Sequence, residues 1–194
     1  MATKLIIPPE NPKLDGVAAA FGYSEYLKKH DESPAAAAFG EPDKQAKYLL
    51  DNIEESISDA SYHLYSMEEI VIVDASHMRQ LSTRIKPGDV KEIINNKDDE
   101  LQEDIFTEAS FEIEDVAATS TIIAEKFKNS DTEISEQAAK MLYGAIVFAT
   151  DDLESENTTD RDREMAEWLK GKLEIEDDFL AKLTEGEIPK DEDE

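Results

Sequence analysis

Glycine and proline, the residues that most often interrupt regular structure, are missing from two long parts of the chain. Neither occurs from Asp43 to Lys86, and after Pro87-Gly88 neither occurs again before Gly144. A protein made of short strands needs many tight turns, which favour these two residues. The sequence therefore predicts an all-α fold, a bundle of about six to eight helices.

Apolar residues at three- and four-residue spacing, together with residues that favour helix starts, locate the predicted helices. They are placed at 15–29, 66–84, 89–95, 98–128 and 130–151. Further helices are expected to carry the apolar face from Ala46 to Leu64, the residues Met165, Trp168 and Leu169 before Gly171, and the residues Phe179, Leu180 and Leu183. One alternative concerns Ile70-Val71-Ile72-Val73, because a run of β-branched residues also suits a buried strand. Helix is preferred there, since a single strand would have only Leu5 to Ile7 to pair with.

The two ends of the chain differ from the middle in composition. Residues 1–13 hold an apolar triplet followed by Pro8, Pro9 and Pro12, and are expected to form an extended arm that packs on the body or on another subunit. Residues 14–184 are expected to form a single helical domain. The acidic residues 185–194 are expected to be a disordered tail.

The chain is strongly acidic. It carries 47 Asp and Glu against 20 Lys and Arg, a net charge of −27, and nearly all of this excess lies beyond residue 50. Such a charge repels nucleic acid and anionic membranes and attracts basic surfaces. Direct nucleic-acid binding and membrane association are therefore not expected.

The predicted central helix, 98–128, presents a row of carboxylates with no Lys or Arg between Asp98 and Glu125. Like charges four residues apart destabilise a helix, so this row suggests either a solvated face or a binding surface for a basic partner. A second acidic group follows near residue 151, and the tryptophan is the aromatic residue most suited to an interface. The candidate partner-binding residues are Glu100, Asp104, Glu108, Glu112, Asp115, Asp151, Asp152, Glu154, Glu156 and Trp168.

Residue patterns typical of enzymes are not found. The chain has no cysteine, no phosphate-binding glycine loop and no His-Glu-x-x-His motif. Asp74 and His77 have the spacing of a metal-ligand pair, but a di-iron bundle needs Glu-x-x-His from two helices. The carboxylates of 151–156 and 160–164 lack the glycine of an EF-hand loop and are expected to be solvated. No catalytic residue, metal or cofactor is predicted.

The leading functional hypothesis is a non-enzymatic acidic protein that covers a basic, nucleic-acid-binding surface of a partner protein, as an inhibitor or nucleic-acid mimic. The alternative is an oligomeric structural or assembly protein, a scaffold or chaperone of viral type. No apolar run is long enough for a membrane span or a signal peptide. A cytoplasmic location is expected, in the host cell if the protein is viral, and a homo-oligomer is compatible with the arm.

Overall fold

A parallel β-sheet forms the centre of the molecule. The computed structural model describes residues 3–64, 66–97 and 104–186. Six strands lie in the order β3-β2-β1-β4-β5-β6, and every neighbouring pair runs parallel. The strands are β1 (Thr3–Ile7), β2 (Ser33–Ala38), β3 (Ser58–Asp59), β4 (Glu69–Val73), β5 (Val90–Asn95) and β6 (Ser110–Ile113).

Six α-helices accompany the sheet. They are α1 (Leu14–Lys29), α2 (Lys44–Asp51), α3 (Thr119–Asn129), α4 (Glu136–Ala149), α5 (Asp160–Lys170) and α6 (Phe179–Glu185), and three short 3-10 turns lie at Ala60–Tyr62, Met78–Gln80 and Pro87–Asp89. The apolar side chains of all six helices pack in one cluster against one face of the sheet. The opposite face is covered by turns and connecting segments that supply Leu81, Ile85 and Phe106.

The prediction of an all-α bundle is wrong, and β1 and β4 explain why. Ile6 packs towards the helices while Leu5 and Ile7 pack on the other face, so β1 is buried on both sides. A parallel strand buried on both faces is apolar throughout and lacks the alternation that identifies a half-exposed strand. The predicted N-terminal arm therefore contains a central strand.

The run Ile70 to Val73 takes its alternative interpretation and forms β4. It pairs in parallel with β1, with Leu5 opposite Ile70 and Ile7 opposite Ile72. The predicted helices at 66–84 and 89–95 are also wrong. The first range contains β4 and a 3-10 turn, and the second contains β5. Of the helix predicted to carry the face from Ala46 to Leu64, only the part within Lys44–Asp51 is α-helical.

The predicted central helix 98–128 is not a single helix. Residues 98–103 lie outside the described residues, and the remainder forms a turn, the strand β6 and then α3. The prediction is confirmed for α1, α5 and α6, and for α4 apart from its start. Helix α4 contacts α1, α2, α3, α5 and α6, and so lies at the middle of the helical layer.

Candidate functional site

The strand order reverses direction between β1 and β4. From β1 the chain goes to β2 and β3 on one side, and then returns to build β4, β5 and β6 on the other. Open parallel sheets bind ligands at the carboxyl ends of the strands beside such a reversal. The residues that follow β1, β4 and β5 are therefore the first place to look for a site.

Asp15 lies in the first turn of α1, directly after the loop from β1. Its Oδ2 accepts a hydrogen bond from the Thr119 backbone N–H at 2.7 Å, and its Oδ1 accepts one from the Ser120 N–H at 2.9 Å. The N-cap residue of α3 is Ala118, which has no side chain able to cap. Asp15 thus caps α3 from another helix and places a negative charge where the helix dipole favours it.

Asp74 follows β4 and has a left-handed backbone conformation, with φ of 59°. Its Oδ1 accepts a hydrogen bond at 3.1 Å from the hydroxyl of Thr119, the residue whose N–H donates to Asp15. Burial, and then the Asp15 charge, raise the pKa of Asp74 well above its ordinary value. Burial also raises the pKa of Asp15, against hydrogen bonds from Ser120 and Thr119 that lower it.

Gly16 allows the close approach that brings these carboxyl groups together. A Cβ atom at this position would lie 2.9 Å from the Pro8 Cβ and 3.1 Å from the Asp74 Oδ2. The first of these distances is shorter than carbon atoms tolerate without a shift of the chain. A residue with no side chain therefore lets the start of α1 pack on both the β1 loop and Asp74.

The end of β5 carries two adjacent asparagines. The Asn96 side-chain amide donates to the carbonyl oxygens of Val116 and Ala117, at 3.3 and 2.9 Å, and so fixes the loop between β6 and α3. Asn95 donates to the Lys97 carbonyl oxygen at 2.7 Å. Its own Oδ1 is buried and has no hydrogen-bond partner among the described residues.

A cleft of about 440 Å³ opens at this edge of the sheet, between the end of β5, the loop after β6 and the connection from α4 to α5. It holds both charges and hydroxyl groups: Lys97 on one side, and Asp115 and Glu156 on others. The Thr158 hydroxyl on its wall is buried and unpaired within the described part of the chain. Ala149, at the end of α4, also lines the cleft and contributes no polar side chain.

Asp162 holds one wall of this cleft in place. It is fully buried, and its carboxylate accepts hydrogen bonds from the Ala117 N–H, the Thr121 hydroxyl, and the N–H and hydroxyl of Thr159. The expectation that the carboxylates of 160–164 are solvated is wrong for this residue. Asp162 thereby joins the start of α5 to the loop between β6 and α3.

The adjacent residue, Arg161, strengthens the same junction. Its guanidinium donates to both carboxylate oxygens of Glu125 at 2.7 and 2.6 Å, and to Glu114 at 2.8 Å. These hydrogen bonds raise the pKa of Arg161 further above its already high value. A paired, planar contact of this kind orients the two elements as well as attracting them.

The predicted acidic row is not continuous, because no single helix carries it. Glu100 lies outside the described residues, and Asp104 is exposed in a turn. Glu108 lies 3.7 Å from the Lys91 ammonium, and Glu112 lies on β6, where it pairs with Lys126. The binding role of these residues for a basic partner stays a prediction.

The other predicted partner-binding residues are divided between two places. Asp115 and Glu156, 41 positions apart in sequence, both line the cleft. Asp151, Asp152 and Glu154 lie in the turns that follow α4. Trp168 lies on α5, partly buried against the main core, with the Lys172 ammonium 4.6 Å from the ring centre.

Asp15 and Asp74 were not predicted as a pair. In the sequence, Asp15 falls at the start of the predicted helix 15–29, and Asp74 stands out only by its spacing to His77, the N-cap residue of the short turn at Met78–Gln80. A signal was present, because each aspartate follows an apolar run that forms a strand. Assigning strands to Leu5–Ile7 and Ile70–Val73 would have directed attention to the polar residues just beyond them.

No family model matches the chain. Curated relatives do. The chain is 27% identical over 169 residues to a probable manganese-dependent inorganic pyrophosphatase of Lactiplantibacillus plantarum, covering 84% of this chain and 52% of that protein. It is 29% identical over 174 residues to the manganese-dependent inorganic pyrophosphatase of Methanothrix thermoacetophila, with the same coverage. The chain thus spans about half the length of these relatives.

Solved structures share the fold. A Methanococcus jannaschii protein assigned to the family II inorganic pyrophosphatases superposes with a TM-score of 0.77 at 22% identity, over 94% of this chain and 60% of that one. An exopolyphosphatase-related protein from Bacteroides fragilis gives 0.76 at 12% identity, over 96% and 57%. These similarities agree with the α/β architecture and contradict the helical bundle.

These comparisons overturn the functional hypotheses drawn from charge and helicity. The matched relatives are named for an enzymatic activity, so the non-enzymatic inhibitor or nucleic-acid mimic is wrong, and the scaffold alternative and the viral assignment have no support. Within the described residues, no helix is long and apolar enough to cross a membrane.

The manganese in the relatives' names prompts a direct test of the residues present. Manganese prefers carboxylate, carbonyl and water oxygens, with imidazole nitrogen also found. Within residues 3–64, 66–97 and 104–186, no three His, Asp or Glu side chains come together as a metal site requires. At the strand ends beside the reversal, the Asp15–Asp74 pair already binds backbone and hydroxyl donors. The described residues do not fit a manganese centre there.

Proposed function

We propose that this chain is an enzyme domain that binds and hydrolyses inorganic pyrophosphate or a closely related phosphoanhydride. The observation that carries the proposal is its similarity to manganese-dependent inorganic pyrophosphatases over more than four fifths of its length. The position of the cleft supports it, because parallel sheets of this kind bind ligands at the carboxyl ends of their strands. The proposal keeps the cytoplasmic location expected from the sequence.

The charges of the cleft suit a phosphoanhydride that arrives with its own divalent counter-ion. Lys97 provides a cation for phosphate oxygens, and the Thr158 hydroxyl, which has no partner among the residues described, provides a donor. Asp115 and Glu156 would repel a bare anion but attract the cation of a metal–pyrophosphate complex. Magnesium is commonly held in this way, by one or two carboxylates together with substrate phosphates.

Release of orthophosphate from pyrophosphate, with magnesium or manganese in excess, tests the proposal. In Lys97→Ala the loss of a charge-assisted contact, about 1.5–3 kcal/mol, should raise KM about 10- to 100-fold. Lys86→Ala is the matched control, because Lys86 is also exposed but lies shortly before β5, at the other end of the same strand. Its KM should equal that of the wild type.

Two results would contradict the proposal. The first is a wild-type protein that releases no orthophosphate above the buffer rate with either metal. The second is an equal loss of activity in the Lys86 and Lys97 variants, which would mean that the cleft is not where pyrophosphate binds. Association with a basic partner protein or a second copy of the chain remains a separate proposal, to be tested by mass measurement in solution.

A further inference from the structure

The relatives are named as manganese-dependent, whereas the described residues at the strand ends of this chain do not form a manganese site. We infer that Asp15 and Asp74 form a pair of one neutral carboxylic acid and one carboxylate, and that this pair joins α1, α3 and β4 without holding a divalent cation. The inference goes beyond the proposed function and does not require it, since the pair is distinct from the cleft residues assigned to pyrophosphate.

The hydrogen bonds around the pair define which carboxyl group carries the proton. Asp15 accepts from two backbone N–H groups at the start of α3, an arrangement that suits a charged carboxylate. Among the described residues, the Asp74 carboxyl group accepts one hydrogen bond, from the Thr119 hydroxyl. The N–H of Thr119 donates to Asp15 and its hydroxyl donates to Asp74, so the two carboxyl groups lie at one residue. Two buried carboxyl groups this close repel each other if both are ionised, so the pair favours a single proton. That proton belongs on Asp74.

The surroundings disfavour a metal in three further ways. Within the described residues, no other Asp, Glu or His completes a group of three with the pair. The ammonium of Lys97 is near enough to lower the pKa of Asp74, so a positive charge already acts there. The oxygens facing α3 are turned towards N–H groups, and a cation on them would lie close to the positive end of the helix dipole.

The other oxygen of Asp74, Oδ2, packs against the start of α1. Asp74 Oδ2 would lie 3.1 Å from a Cβ atom on residue 16, so the oxygen rests almost against the glycine backbone of α1. The pair therefore works as an internal tie between helices and sheet. Asp15 and Asp74 are positioning residues under this inference, and neither touches the proposed substrate.

Two measurements on the intact chain test the inference, and neither uses pyrophosphate. The first is manganese titration followed by electron paramagnetic resonance at neutral pH, for wild type, Asp74→Asn and Asp15→Asn. The second is infrared spectroscopy, with the spectrum of each variant subtracted from that of the wild type. A neutral carboxyl group shows a C=O stretch at a higher frequency than the bands of an amide or a carboxylate. Asp31→Asn is the matched control, because Asp31 is exposed and has nearly the same φ, 60° against 59°.

We expect no manganese binding that depends on either aspartate. No binding at all, or equal binding in all variants, supports the inference, since in both cases the pair holds no cation. The C=O band should be present in wild type and in Asp31→Asn, and absent from Asp74→Asn. Binding of one manganese per chain that is lost in Asp74→Asn, or an unchanged band in that variant, would overturn it.

The Asp74 variant keeps the test decisive if Asp15→Asn fails to fold. Asn adopts left-handed backbone conformations readily and has the size of Asp, so Asp74→Asn should retain the fold. A failure of pyrophosphate hydrolysis leaves these results unaffected. The two proposals can therefore fail independently.

Discussion

Asp162→Asn should destabilise the protein more than any other Asp→Asn or Glu→Gln substitution on α5. The wild-type carboxylate is fully buried and accepts from four donors on Ala117, Thr121 and Thr159. An amide offers one acceptor oxygen, and its NH2 group would face donors. In the better of the two amide orientations the Thr121 hydroxyl loses its acceptor, and the other three donors share a neutral oxygen in place of a carboxylate.

The size of this effect follows from the hydrogen bonds that an amide cannot accept. A hydrogen bond to a charged group contributes about 1.5–3 kcal/mol, and a buried donor without a partner costs about 1–3 kcal/mol. Because these contributions overlap, a total of about 3–5 kcal/mol is expected. The same carboxylate forms one half of the capping box of α5 by accepting from the Thr159 N–H, so the start of the helix should loosen as well.

Urea unfolding followed by circular dichroism measures the change, with Asp160→Asn as the control. Asp160 lies in the same first turn of α5 but is exposed, so its change should stay within about 0.5 kcal/mol of wild type. Equal stability of the two variants would contradict the prediction. It would mean that the buried carboxylate does not hold α5 to the loop after β6.

Two further predictions concern the acid pair. Because the folded state raises the pKa of Asp74, the folded protein keeps a proton that the unfolded chain releases above its ordinary value of 3.8. The stability that this group contributes therefore falls as the pH rises from about 4 towards neutrality. The stability of Asp74→Asn relative to the wild type should rise over this range, because the amide has no proton to lose, whereas that of Asp31→Asn should not. Thermal unfolding at pH 5 and pH 8 checks the sign, and a difference between Asp74→Asn and wild type that does not change with pH would contradict it. Gly16→Ala should lower the melting temperature and destabilise the protein by about 1–3 kcal/mol, because its Cβ would lie 2.9 Å from the Pro8 Cβ. Calorimetry measures this against Gly88→Ala, where a Cβ atom would have nothing within 4 Å. Equal effects of the two substitutions would argue against a close approach at Gly16.

The missing glycines led to the helical prediction because glycine was treated as the main marker of turns. In this chain Asp and Asn adopt the left-handed conformation instead. Of the seven non-glycine residues with positive φ in the part of the chain that the structure describes, six are of these two types: Asn11, Asp31, Asp74, Asp131, Asp151 and Asp152. Their short polar side chains tolerate that conformation better than other residues. Some of the aspartates that make the chain acidic therefore serve as turn residues.

Helices and strands differed in how well they could be predicted for a physical reason. Helices α1, α5 and α6 bury one side, so their apolar spacing is visible in the sequence. Strands β1, β4 and β5 are central in a parallel sheet and have apolar residues on both faces. Such runs look alike whether they form strands or buried helices, and only pairing with a neighbouring strand decides between the two.

Composition and local spacing were enough to establish the strong negative charge, the absence of cysteine chemistry, and the positions of the one-sided helices. The pairing of β4 with β1, and the meeting of Asp15 with Asp74 across 59 positions, arise only when distant segments come together in the fold. The same holds for the burial of Asp162 beside an exposed Asp160. A carboxylate has the same local sequence signature whether it faces water or four hydrogen-bond donors, so contacts between distant segments settle its role.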